Sequence, residues 1–187
     1  MSERTTIVCT VGYPGSGKSL FADIAQEEGF STVSMGDAVR SRAQDALNDP
    51  TGDEIGEWAT KQREKYGGGI VASWVVDHIR DQDTNTVIVD GLRSPESMEM
   101  FEDAFDEVIL VHITADQDTR LARLESRKRD DEQDVTREYL QRRDTREDAV
   151  WGMGELINDN STIEITNEST LEHYRTNVMN LLEELQQ

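Results

Sequence analysis

Cysteine is almost absent from this chain. Cys9 stands alone, so no internal disulfide can form, and a stapled secreted scaffold is excluded. Its place in an apolar, β-branched run reads as a small core residue rather than a nucleophile. No long apolar run occurs either. The longest lies around Val108 to Ile113, far short of the ~20 residues that a membrane-spanning helix needs. No cationic, apolar leader opens the sequence. The expectation is a cytoplasmic protein with no membrane partner. Internal repeats, low-complexity tracts and a second domain are also missing, so residues 1–187 read as one domain.

Positive charge is scarce. Asp and Glu total 39 against 19 Lys and Arg, a formal net charge of −20. Lysine occurs only at Lys18, Lys61, Lys65 and Lys128. An acidic, lysine-poor surface of this kind is similar to that of proteins from salt-accumulating cells, where a Debye length of about 3 Å screens self-repulsion. It argues against a general nucleic-acid surface, although local arginine clusters remain able to bind phosphate. Nothing in the composition indicates a protein partner.

The most informative segment is Gly12-Tyr13-Pro14-Gly15-Ser16-Gly17-Lys18-Ser19. It fits G-x-x-x-x-G-K-[ST], the phosphate-binding loop. Glycines let the backbone curl until successive N–H groups face phosphate oxygens. Lys18 adds charge for β- and γ-phosphates, and Ser19 offers a hydroxyl to Mg²⁺. The loop follows the strand-like run Thr5–Val11. It precedes an amphipathic helix with Leu20, Phe21, Ile24 and Ala25 on one face. ATP and Mg²⁺ are therefore the expected ligands.

Strand-like and helix-like segments then alternate. Strands are expected at 5–11, 31–35, 86–90, 107–114 and 162–166. Helices are expected at 18–28, 37–47, 53–65, 70–80, 95–104, 117–128, 135–157 with a break near Gly152, and 170–185. This order predicts an α/β fold of the P-loop NTPase type, a five-stranded parallel sheet flanked by helices. Residues 37–69 form a helical insertion ending in Gly67-Gly68-Gly69, either a hinge or a helix terminus. Residues 127–133 form a short, charged link that could act as a lid.

Ligands of such sheets sit at the carboxyl ends of strands. Asp90 ends an apolar strand there and suits a metal-side acid. Arg40 and Arg93 follow strand ends, where a planar guanidinium can grip phosphate. Arg123 and Arg127 share one helix face. Arg142, Arg143 and Arg146 cluster on the next helix, and one of them is expected to reach the site. The histidines show no ligand spacing. Trp58, Trp74 and Trp151 read as packing, with Trp74 a further option for an acceptor-base pocket. Asp130-Asp131 is either functional or a solvated acidic stretch.

These segments resemble the nucleoside monophosphate kinases, above all adenylate kinase. Gly12 to Lys18 matches that family's G-x-P-G-x-G-K. Gly36-Asp37-Ala38-Val39-Arg40 resembles its T-G-D-x-x-R, and Asp90-Gly91-Leu92-Arg93 resembles its D-G-F-P-R. Arg123 and Arg127 resemble its lid-opening arginine pair, and Asp130-Asp131 the aspartates after it. The short lid and Trp151-Gly152-Met153-Gly154-Glu155 narrow the likeness to an archaeal adenylate-kinase-related group. The resemblance implies phosphoryl transfer from Mg-ATP to an acceptor such as AMP. Asp37, Arg40 and Arg93 would bind the acceptor, Lys18, Asp90, Arg123 and Arg127 would be catalytic, and Asn167 would approach adenine. Met35 replaces a threonine, the D-G-F-P-R proline is missing, and Ser19 directly follows Lys18. Lysine followed by serine also resembles dephospho-coenzyme A kinase, as does Thr166-Asn167-Glu168-Ser169. A nucleotide-sensing module with little turnover is the remaining alternative.

Overall fold

The computed structural model describes residues 5–82, 84–127, 135–158 and 163–185. In chain order the elements are β1 (Thr6–Val11), α1 (Lys18–Glu27), β2 (Ser31–Ser34), α2 (Met35–Ala46), α3 (Gly52–Tyr66), α4 (Ile70–Arg80), β3 (Thr86–Asp90), α5 (Pro95–Ala104), β4 (Glu107–Thr114), α6 (Gln117–Arg127), α7 (Arg137–Trp151), α8 (Met153–Ile157), β5 (Ile163–Thr166) and α9 (Leu171–Glu184). The sheet is five-stranded in the order β2-β3-β1-β4-β5, and its pairings are parallel.

β1 is central because it is apolar on both faces: Ile7, Val8, Cys9 and Val11 are fully buried. A strand covered on both sides needs such a run. Successive side chains alternate between two cores. Ile7 and Cys9 pack with Val87, Val89, Phe101 and Met153. Val8 packs with Ile88, Phe21 and Ile24 of α1, and Tyr174 and Val178 of α9.

Local chemistry sets the helix ends. Ser34 caps α2, its hydroxyl accepting from the Asp37 N–H at 3.1 Å. Met35 therefore opens a helix instead of ending a strand. Ser94 caps α5, with Pro95 at the first helical position. Thr51 and Glu54 form a reciprocal capping box on α3. Thr170 caps α9, its hydroxyl accepting from the His173 N–H. Gly152, at φ 72°, separates α7 from α8, where the sequence pattern predicts a break. Gly67 ends α3, and the Arg63–Glu96 pair at 2.6 Å ties that end to α5. The triple glycine is thus a helix junction tied to its neighbour.

The expected lid begins at Arg127, the last residue of α6. Residues 128–133, with Asp130 and Asp131, lie outside the described residues. Among the described residues no helix is long and apolar enough to cross a membrane.

Candidate functional site

The loop between β1 and α1 forms a backbone cradle. Gly12 lies against β4: a Cβ there would sit 2.4 Å from the Ile113 carbonyl oxygen and 2.8 Å from Ser16 Oγ. Gly17, the N-cap of α1, has no side chain to satisfy the helix's first amides, and the first turn carries no acid. The α1 N-terminus is therefore left open to an anion.

Lys18 Nζ donates to the Gly12 carbonyl at 2.6 Å and the Tyr13 carbonyl at 3.2 Å. Burial lowers its pKa to about 8, opposed by the charge of Asp90. Ser19 Oγ donates to Asp90 Oδ2 at 3.0 Å, and Thr10 Oγ1 donates to Asp90 Oδ1 at 3.2 Å. Loop and strand end are thereby joined. The adjoining Ser19 hydroxyl and Asp90 carboxylate fit Mg²⁺, a hard cation that takes one or two protein oxygens and fills its shell with water and phosphate. No group of three or more His, Cys, Asp or Glu among the described residues could form a complete protein cage.

Two cavities meet beside this loop. A cleft of about 610 Å³ runs along Gly12, Gly15, Gly17, Lys18 and Ser19 toward Arg127 and Asn167. A narrower inner cavity of about 90 Å³ lies under the insertion, between Val39, Ile55, Ala59, Val71 and Trp151. Arg40, Arg93, Arg143 and Glu147 line both. Arg146 lines only the inner cavity, and its guanidinium fits over α3 because residue 56 is glycine: a Cβ there would lie 2.2 Å from Arg146 Nη1.

The other sequence-predicted residues fall into distinct places. Asp37 is exposed, pairs with Arg40 and lines neither cavity. Arg123 donates to the carbonyls of Ser16 at 3.3 Å and Asn167 at 2.9 Å. Asn167 is buried, and its Nδ2 donates to the Ser16 carbonyl at 2.8 Å. Arg123 from α6 and Asn167 from the end of β5 both brace the loop. Arg142 points away and pairs with Asp53 at 3.1 Å. Trp74 stacks near Trp58 and under Arg42 in a separate surface hollow; the tryptophan of the inner cavity is Trp151.

Sequence reading missed two buried charges. Arg120 is 6% exposed. It forks onto Asp144 at 3.0 and 2.7 Å, donates to the Pro14 carbonyl at 3.2 Å and stacks over Tyr13. The Tyr13 hydroxyl donates to Asp148 at 2.8 Å. Burial first, then this acceptor, raises the Tyr13 pKa to about 12. Glu147 is 5% exposed and accepts from Arg93 Nη1 at 2.8 Å. The signal for Glu147 was a stripe: Leu140, Glu147 and Trp151 share one helical face and are all buried.

A glycine cradle at the end of a central parallel strand, followed by lysine, serine and a strand-end aspartate, defines a P-loop α/β protein. The comparisons agree. A family model described as an AAA domain matches residues 8–152. A UPF0200 protein of Methanosarcina barkeri is 38% identical over 177 residues, covering 94% of each chain. One from Halobacterium salinarum is 37% identical over 179 residues, covering 94% of this chain and 92% of its own. The chain belongs to the UPF0200 family. Among solved structures, TT1252 from Thermus thermophilus superposes with a TM-score of 0.64 at 18% identity, covering 97% of this chain and 98% of its own. A gluconokinase from Sinorhizobium meliloti 1021 does so at 0.59 and 14%, covering 99% and 97%. Both likenesses are of fold: each shares the α/β architecture of this chain along nearly its whole length.

Proposed function

We propose that this protein is an ATP-dependent phosphotransferase that moves the γ-phosphoryl group of Mg-ATP to a nucleotide-class acceptor. The observation that carries this reading is the wall of Arg40, Arg93 and Arg143 shared by the phosphate-loop cleft and the inner cavity. A hydrolase needs only the triphosphate site and water; a transferase also needs a second pocket that holds the acceptor against the transferring group, with cations where charge gathers. The kinase-like fold and the adenylate-kinase resemblance support the same class.

In this reading the α1 amides and Lys18 hold the β- and γ-phosphates. Ser19 and Asp90 would hold Mg²⁺, which would supply charge neutralisation there. Arg40 and Arg93 anchor the acceptor, and the wall of the 37–69 insertion encloses it. Arg123 and Asn167 keep the loop in shape, and Arg127 faces the cleft. Residues 1–187 act as one unit.

The resemblance taken alone points to a nucleoside monophosphate such as AMP as acceptor. Dephospho-coenzyme A, which accepts on a ribose hydroxyl, is the second reading; Glu147 Oε2, buried without a hydrogen-bond partner, suits a hydroxyl donor.

The test is ADP formation from Mg-ATP at molar KCl with AMP, other nucleoside monophosphates or dephospho-coenzyme A. Acceptor-dependent turnover is expected. Lys18→Ala should lower it by about 10²–10³-fold, as expected for losing a preorganised cation at the transferring group. Arg93→Ala should raise the acceptor KM about 10–100-fold, the loss of one charged hydrogen bond. Tight ATP binding with no transfer to any acceptor would replace this reading with a nucleotide-sensing role.

A further inference from the structure

Glu147 has a feature that anchoring Arg93 does not explain. A carboxylate offers about four acceptor positions on two oxygens. Oε1 receives the Arg93 Nη1–H at 2.8 Å. Oε2 is buried and has no hydrogen-bond partner. A buried polar atom without a partner is costly and rare, and calls for a group that completes it.

Its position narrows that group. Glu147 lines both cavities, so it stands where donor and acceptor must meet. Its charge acts on Lys18, together with those of Asp90, Arg93 and Arg143. Of the other acids nearby, Asp23 lines only the outer cleft. Asp90 has both oxygens engaged by Thr10 and Ser19, and Asp37 lines neither cavity. Glu147 is thus, among the described residues lining both cavities, the carboxylate with an unengaged oxygen.

We infer that Glu147 is the proton acceptor of the transfer and that the reacting group of the acceptor substrate is a hydroxyl. This rests on the phosphotransferase reading above. A phosphate nucleophile would bring only anionic oxygens to Oε2, and like charges repel in a site of low dielectric. An O–H group satisfies Oε2 on binding and is activated by it. The step balances. The hydroxyl oxygen forms a bond to Pγ while the bond from Pγ to the bridging oxygen of ATP breaks, and its electron pair leaves with ADP. The hydroxyl proton passes to Glu147 Oε2 and then to solvent when the product departs. Arg93 keeps Glu147 in place through Oε1, leaving Oε2 for this role.

The experiment supplies the full chain with Mg-ATP and three probes at molar KCl. AMP is the phosphate acceptor; adenosine and dephospho-coenzyme A are the hydroxyl acceptors. Phosphorus NMR identifies the new bond as an ester or an anhydride. An ester product is expected. Glu147→Gln keeps the shape and an oxygen for Arg93, and it should lower kcat by about 10²–10⁴-fold, the range of general base catalysis. ATP affinity and acceptor KM should stay within about twofold. Glu147→Asp should recover part of the rate. An anhydride formed from AMP, with Glu147→Gln nearly as active as the parent, would overturn this inference and leave the phosphotransferase reading standing. Ester formation untouched by Glu147→Gln would overturn the role of Glu147. No transfer to any probe while ATP binds would overturn both readings.

Discussion

Lys18 carries a pH signature. Its folded pKa is about 8, below its ordinary 10.5, because burial disfavours the ammonium more than Asp90 supports it. The burial penalty on stability is fully present below about 8 and fades as pH rises toward 10.5. Nucleotide binding should run the other way. Phosphates favour the ammonium, so ATP affinity should be full below pH 8 and fall as pH rises through it. Titration calorimetry across that range checks this, and a flat profile would contradict it. At this scale the sequence was a good guide to backbone chemistry and a poor one to buried charge. Gly12 to Ser19 and Asp90 announced themselves by spacing. Arg120 and Glu147 did not, because they sit among so many acids and arginines that each reads as surface.

At the scale of elements, α7 is the member that ties the site together. It grips the phosphate loop through Asp144 to Arg120 and Asp148 to Tyr13. It reaches Arg93 through Glu147, and α3 through the Arg142–Asp53 pair. Arg120→Ala breaks a pair that is only 7% exposed on the arginine side, and should cost about 3 kcal/mol. Denaturant melts of Arg120→Ala, Asp144→Asn and the double variant measure it. The two changes should be strongly non-additive, and simple additivity would refute the link. Most elements were legible from periodicity and turn residues. β3, β4, α4 and α5 have the expected bounds. The start of α2 was not, since the capping geometry of Ser34 decides it.

For the whole molecule, charge dominates. A net charge of −20 repels itself at low salt, and molar salt screens it. If screening recovers about 3 kcal/mol, the melting temperature should rise by about 10 °C between low and molar KCl. A melting temperature independent of KCl would show that the acidic surface has no such role. The fold class was legible from the alternation of strands and helices, but the strand order was not. Local pattern says that β1 is buried on both faces; it does not say which strands flank it.

That order bears on synthesis. β1 leaves the ribosome before the other four strands, yet its neighbours are residues 86–90 and 107–114. At about 5–20 residues per second, the phosphate loop waits on the order of ten seconds for the walls that shape it. Until then its strand is an uncovered apolar segment with open edges, and nucleotide has nothing to bind. Under the proposed function, a nucleotide at this loop would stabilise the finished fold and would not template the growing chain.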